Sequence, residues 1–327
     1  MIRFIQPKSF SQDKFNYYLQ NAIDSNHFSN YGWAVRHLED VAREMLKIDD
    51  SKAIIATSSG TTAASAMIDA VRRKSSNLKK RVCTQDFTFA TNSIGSASGS
   101  LVVDVNESCM IDYSSEYIQS AAHIVIVTNC FGHLGELEQI EDNLEDKVII
   151  YDNAASPYSF YKGKNCLNYG TGSFVSLHHT KPIGFGEGGL VIIDREYEEF
   201  VRAAVNFGMI DGVFNEYGGN YKMSEISAAG ILQWWDTLGD IDSLANIYRD
   251  SYYKLRYEMR DVVGDFWPHR GDDNFFPNCL PFIHENPTDI ENFNDREVKK
   301  YYRPLRGFPI SQFIYDRISC ISITEGL

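Results

Sequence analysis

Lys181 ends the run Ser176-Leu177-His178-His179-Thr180-Lys181, directly after the apolar stretch SFVSL at 173–177. A lysine amine forms an imine with an aldehyde cofactor and exchanges it with substrate amines; once freed, it can act as general base where burial lowers its pKa. Most lysines are solvated surface charges, so Lys181 alone decides nothing. Asp152 follows the apolar run VIIY at 148–151. A carboxylate at the C-terminal edge of a parallel strand points into the crevice where α/β proteins bind ligands, and there it can partner a protonated pyridine nitrogen. A plain turn or cap aspartate reads equally well. Ser58-Ser59-Gly60-Thr61-Thr62 lies between a strand-like and a helix-like segment. Its glycine frees the turn, and hydroxyls with the free N–H groups of a new helix make an anion site, although a simple threonine N-cap also fits. No Gly-Lys-Ser/Thr follows, so it is not a P-loop.

Two further patterns lose their first interpretation on context. Gly184-Phe185-Gly186-Glu187-Gly188-Gly189 matches G-x-G-x-x-G, but a dinucleotide fingerprint follows a strand and opens a helix. Here the apolar run LVIID comes straight after the glycines. They are expected instead to let a tight loop pass close to a ligand or another subunit. His178 and His179 are adjacent, and neighbours on a strand point to opposite faces, so no metal site is expected.

These residues need a frame. Between about 50 and 195, seven short apolar runs alternate with helix-like segments: AIIAT (53–57), RVCT (81–84), SLVVDV (100–105), HIVIVTN (123–129), KVIIYDN (147–153), SFVSL and GLVIID (189–194). Several are apolar on both faces, as strands buried between two helical layers are. The expected fold is α/β: a three-layer α/β/α domain with a mostly parallel mixed sheet over 1–245, and a smaller α+β domain over 246–327. YGWAVRHLEDVAREMLKI (31–48) puts Val35, Leu38, Val41, Ala42 and Met45 on one helical stripe, and MSEISAAGILQWWDTLGDI (223–241) reads as another long helix.

Composition narrows the classes. With 31 Lys and Arg against 44 Asp and Glu, the formal net charge is −13, and no Lys/Arg-dense tract offers the basic face that a generic nucleic-acid binder needs. No apolar run approaches the roughly 20 residues of a membrane helix, and MIRFIQPKSF lacks the pattern of a secretory leader. A soluble, cytoplasmic protein is expected, with its six scattered cysteines reduced and buried.

The order of motifs, SSGTT, DFTFATNSI (86–94), a strand ending in Asp, SxHxTK, GEGG and GGNYKMSEISAAGILQ (218–233), resembles the pyridoxal 5′-phosphate-dependent nucleotide-sugar aminotransferases of the DegT/DnrJ/StrS type, of the aspartate-aminotransferase fold type I. SNYGWAVRHLE (29–39) is similar to the opening segment of that family. The likeness runs from about Phe28 to Leu238. It implies that Lys181 is the Schiff-base lysine and Asp152 the pyridine-nitrogen carboxylate. It places Gly60, Thr61 and Ser176, with Thr62 beside them, at the cofactor phosphate and Phe89 over the cofactor ring. Asn220 would be donated by the neighbouring subunit, implying a homodimer with shared active sites. Lys222, Tyr302, Arg303 and Arg306 would face the substrate, the last three from YYRPLRGFP (301–309).

The chain also departs from the pattern. The family's Asp-x-Ala-Gln/His is Asp152-Asn153-Ala154-Ala155 here, so the side chain that meets the cofactor's phenolic oxygen is missing. Lys222 stands for an arginine, and the C-terminal part after ISCISI (318–323) is expected to be trimmed. The resulting expectation is transfer of an amino group, from L-glutamate, to a nucleotide-diphosphate 3- or 4-keto-6-deoxysugar. The alternatives are a sugar dehydratase of the same family, whose members carry His at the lysine position, and a cofactor-binding regulatory protein without turnover.

Overall fold

The computed structural model describes residues 1–75, 80–287 and 291–324. Seven strands form the central sheet: β1 (Lys52–Thr57), β2 (Val82–Gln85), β3 (Leu101–Val103), β4 (Ile124–Thr128), β5 (Val148–Asp152), β8 (Gly172–Ser176) and β9 (Gly189–Asp194), with β6 (Phe160–Tyr161) and β7 (Lys164–Asn165) making a small hairpin outside it. The sheet order is β1-β9-β8-β5-β4-β2-β3. Each of the seven apolar runs becomes one of these strands. Pairing is parallel except along β9, which runs antiparallel to both β1 and β8. The C-terminal ends of β1, β2, β4, β5 and β8 therefore share one edge.

Alternation along the strands builds two cores. Ile124 and Ile126 of β4 join one with Ala63, Met67 and Val71 of α3 (Gly60–Lys74) and with Val201 and Val205 of α6 (Glu198–Val205). Val125 and Val127 face the other, which takes Val35, Leu38 and Ala42 of α2 (Trp33–Met45) and Ile231 and Trp235 of α7 (Glu225–Leu238). Strand side chains point to opposite faces, so a strand apolar on both is buried twice. α1 (Gln12–Ser25) packs on α2 and α7, while α4 (Glu116–Ala121) and α5 (Leu137–Asn143) are short connectors. Glu225 replaces a cap on α2, its carboxylate accepting from the amides of Ala34 (2.7 Å) and Val35 (3.4 Å). Negative charge at a helix start is favourable.

A second, antiparallel sheet contains β10 (Gly264–Phe266), β11 (Leu280–His284), β12 (Asn292–Phe293), β13 (Arg296–Lys299) and β14 (Ile318–Ile321), in the order β10-β11-β14-β13-β12. α8 (Ile241–Glu258) and α9 (Pro309–Arg317) pack on β11. The two parts are tied together. Asp86 accepts from the backbone amides of Arg306 (2.6 Å) and Phe308 (2.7 Å), and Asp104 accepts from those of Ile310 (2.8 Å) and Ser311 (2.9 Å) at the start of α9. All six cysteines are free and buried. Among the described residues no helix is long and apolar enough to cross a membrane.

Candidate active site

The shared strand edge opens into a cavity of about 380 Å³ lined by Gly60, Thr61, Phe89, Asp152, Ser176 and Lys181, with Tyr302 from the segment before α9. Residues 120 apart in sequence thus meet through topology, as expected at the carboxyl ends of strands in an α/β sheet.

The anion end is built by β1, α3 and β8. Ser59 caps α3, its hydroxyl accepting from the Thr62 amide (3.1 Å), while Thr62 Oγ1 accepts from the Ser59 amide (2.9 Å). This reciprocal cap consumes the Thr62 side chain, which does not line the cavity. The preceding helix amides, on Gly60 and Thr61, have no protein acceptor among the described residues. A Cβ on Gly60 would lie 3.0 Å from Cβ of Ser176, so glycine is what lets the helix start close against the end of β8. Free N–H groups at a helix start and the Ser176 hydroxyl suit a phosphate.

At the opposite wall Asp152 is 3% exposed. Its Oδ1 accepts from the Ala154 amide (3.1 Å), and its Oδ2 accepts from Asn92 Nδ2 (2.8 Å) and Thr128 Oγ1 (3.5 Å). Burial raises the pKa of Asp152, against the Ala154 amide, Asn92, the Lys181 charge and Thr128, which favour the carboxylate. Asn92 also donates to Thr88 Oγ1 (2.9 Å), which meets Thr128 Oγ1 at 2.6 Å. The carboxylate is therefore fixed in place before any ligand arrives.

Lys181 lies between these ends. Its Nζ makes no hydrogen bond or ion pair with the described residues, Asp152 included. It keeps some accessible surface because it lines the cavity, yet burial lowers its pKa, opposed by Asp152 and then Cys279. An amine shifted down is neutral more often, as a nucleophile or base must be. The turn beyond it is pinned: Trp234 and Trp235 of α7 donate their indole N–H groups to the carbonyls of Pro182 (3.1 Å) and Ile183 (2.7 Å). The glycines after it serve the fold. A Cβ on Gly189 would come within 2.3 Å of the Ser59 carbonyl oxygen, so the close approach expected of this loop is to the chain's own β1–α3 turn.

Phe89 is 60% exposed at the cavity mouth, its ring edge-on to Tyr302 with centroids 6.4 Å apart. Tyr302 stacks on Phe131 (5.3 Å, 12°), and burial pushes its phenol pKa well up. The remaining expected residues lie elsewhere. Arg303 and Arg306 are exposed and do not line the cavity. Asn220 is exposed at the surface, next to a backbone pairing with Asn206, and Lys222 spends its ammonium on Asn206 Oδ1 (2.9 Å) and the face of Phe207. Long side chains follow the direction of their own backbone, which motif order does not specify.

Several residues of the site escaped the sequence reading. Asn92, buried behind Asp152 and outside the cavity lining, sits inside the motif DFTFATNSI but carries no distinguishing signal there. Asn129, at the end of β4, donates Nδ2 to Asn153 Oδ1 (2.8 Å) and leaves its own buried Oδ1 without a partner. It lines the cavity together with Ala155. Lys299 of β13 also lines it, with Phe4 and Ile5 of the N-terminal segment.

The donor set fits the expected cofactor: unpaired amides for a phosphate, a buried carboxylate for a ring cation, an unpartnered amine for an aldehyde and an uncovered aromatic face. A model of the DegT/DnrJ/EryC1/StrS aminotransferase family matches residues 10–275. GDP-perosamine synthase from Escherichia coli O157:H7 is 28% identical over 164 residues, which is 46% of this chain and 45% of that protein; the match thus spans less than half of the relative's length. Among solved structures, DesI in the presence of its TDP-sugar product superposes with a TM-score of 0.80 at 20% identity, over 97% of this chain and 86% of that one. A GDP-4-keto-6-deoxymannose-3-dehydratase with a trapped PLP-glutamate geminal diamine gives 0.80 at 18%, over 97% and 95%. At these identities the structural likeness establishes the fold.

Proposed function

Because the chain belongs to the DegT/DnrJ/EryC1/StrS aminotransferase family, we propose that it is a pyridoxal-phosphate-dependent aminotransferase that moves an amino group from L-glutamate to a nucleotide-linked keto-6-deoxysugar. One observation carries the reading: Lys181 and Asp152 face a single cavity whose other end is the open start of α3. When bound, the cofactor supplies an electron sink for charge developing beside the transferred nitrogen.

The chain's own groups do the rest. The amides of Gly60 and Thr61 and the Ser176 hydroxyl would hold the phosphate, and Asp152, whose donors oppose the effect of burial, would pair with the protonated ring nitrogen. Lys181 Nζ would hold the cofactor aldehyde and, as a free amine, would take up and give back a proton at Nζ. Phe89 covers the ring and keeps water off it. With Ala155 where the family has Gln or His, Asn129 is an amide of the cavity wall whose Oδ1 has no protein partner and would be available to a bound cofactor. Lys299 also lines the cavity, its ammonium paired with Glu297 Oε1 (3.3 Å) and lying over the Phe4 ring, and it suits the anionic groups of donor or sugar nucleotide. Asn220 stands exposed beside Asn206 and Phe207, with Phe207 46% exposed and Val213 and Phe214 of the same connecting segment 68% and 69% exposed. Exposed apolar side chains in this segment support a second copy of the chain there, completing the site with Asn220.

Lysine rather than histidine at position 181 favours amino transfer over dehydration. The test is to incubate the protein with pyridoxal phosphate, glutamate and a panel of nucleotide-linked keto-sugars. A mass change corresponding to amination, absent in Lys181→Ala, is expected. An unaltered absorbance spectrum on adding the cofactor, with no borohydride-trapped adduct at Lys181, would refute the reading.

A further inference from the structure

The N-terminal segment runs from the small sheet to the turn that carries Lys181. Ile2 pairs with Arg296, the Phe4 amide donates to Glu297 Oε2 (2.8 Å), and Gln6 Nε2 donates to the Thr324 carbonyl (3.0 Å). Two residues further on, the Lys8 side chain enters the large domain. Its Nζ donates to the carbonyl oxygens of His179 (2.7 Å), Lys181 (2.6 Å) and Gly184, and lies over the Trp234 ring.

We propose that Lys8 is a positioning residue for Lys181: its ammonium gathers the carbonyls of residues 179, 181 and 184 and fixes the turn from which the Lys181 side chain enters the cavity. The geometry is specific. Three acceptors around one nitrogen use all three hydrogens of an ammonium, and no other side chain offers that set from a single atom. Burial draws Lys8 down to about 7, while the three carbonyl oxygens around Nζ favour its charged form. Trp234 and Trp235 hold the neighbouring carbonyls of Pro182 and Ile183. Four successive residues, Lys181 to Gly184, thus have their carbonyls captured by side chains from outside the turn. Of these clamps, only Lys8 reaches in from a segment that also holds the small sheet. Lys8 does not line the cavity, so its effect passes through the Lys181 backbone.

The inference rests on the aminotransferase reading, because it concerns where the reacting amine stands. The full-length unaltered protein, Lys8→Met and Lys8→Arg are loaded with pyridoxal phosphate. Three quantities are measured: the single-turnover rate with glutamate, the pH midpoint of the visible cofactor band without substrate, and the melting temperature of the cofactor-free protein. Misplacing a reacting group by about 1 Å can cost on the order of 100-fold. Lys8→Met is therefore expected to slow the half-reaction by about tenfold or more and to displace the midpoint, with glutamate KM changing less than about twofold. Lys8→Arg keeps charge and donors and should recover part of both. A half-reaction rate and midpoint in Lys8→Met equal to those of the unaltered protein would overturn the proposal. So would equal losses in both variants that simply follow a lowered melting temperature. Should Lys8→Met not fold, Lys8→Gln, which removes the charge and one donor hydrogen, takes its place with the same supporting and overturning outcomes. Failure of the unaltered protein to form a trapped adduct at Lys181 would instead defeat the aminotransferase reading, a result separable from one confined to the Lys8 variants.

Discussion

Asn92 Nδ2 donates to Asp152 Oδ2 at 2.8 Å, joining two residues 60 positions apart, and this contact ties the proposed cofactor carboxylate to the stability of the fold. In Asn92→Ala the buried carboxylate keeps only Thr128 at 3.5 Å on that oxygen. An unsatisfied buried acceptor costs about 1–3 kcal/mol. The variant should unfold at lower denaturant by that amount and hold pyridoxal phosphate more weakly. Urea titration and cofactor equilibrium dialysis measure the two effects, and a variant matching the unaltered protein in both would remove Asn92 from the site.

Asp152→Asn tests the charge itself. Burial raises the carboxyl pKa in the folded state, so the stability it contributes is fully present below the unfolded value and is lost as pH rises through the folded one. Above that window the cofactor-free protein holds an unfavourable buried charge. The cofactor-free Asp152→Asn protein should therefore melt higher than the unaltered protein above that window, with the gap narrowing as pH falls toward the unfolded carboxyl value. Its glutamate half-reaction should be nearly lost. A gap that widens on acidification would contradict the assignment of burial as the dominant influence.

Lys181→Ala should keep its fold, because Nζ contributes no hydrogen bond or ion pair to it. Circular dichroism should match the unaltered protein, while borohydride treatment followed by peptide mass mapping should find no adduct in the 173–189 region. An adduct that persists there would place the cofactor on another lysine.

Lys299→Ala addresses substrate charge. Loss of a cation facing an anionic group costs about 1.5–3 kcal/mol, so KM for the anionic substrate should rise about tenfold or more while kcat changes less. Arg303→Ala and Arg306→Ala should have smaller effects, since both side chains lie outside the cavity. Steady-state kinetics on the three variants ranks them, and an order led by either arginine would return the anion site to the YYRPLRGFP segment.

What the sequence alone determined was the frame and the chemistry that hangs on backbone. The seven buried strands were legible because two-sided burial demands apolar residues at every position, a local property of each run. Gly60, Thr61, Asp152 and Ser176 could be placed at the cavity because each sits where a strand ends or a helix starts, whereas Lys181, in the turn beyond β8, was singled out by the order of motifs around it. Only the tertiary structure decided which long or loop-borne side chains reach the cavity. Thr62 turned into its own helix cap, Lys222 bonded Asn206, and Arg303 and Arg306 stayed at the surface. Meanwhile Lys299 and Asn129 reached the cavity, and Asn92 reached Asp152 behind it, although nothing in residue type or spacing set them apart from their neighbours. The clamp of Lys8 on the Lys181 turn is the extreme case. It spans 173 residues from one lysine to the other, and an ammonium finding three carbonyl oxygens depends on how the chain closes in space and leaves no trace in residue spacing.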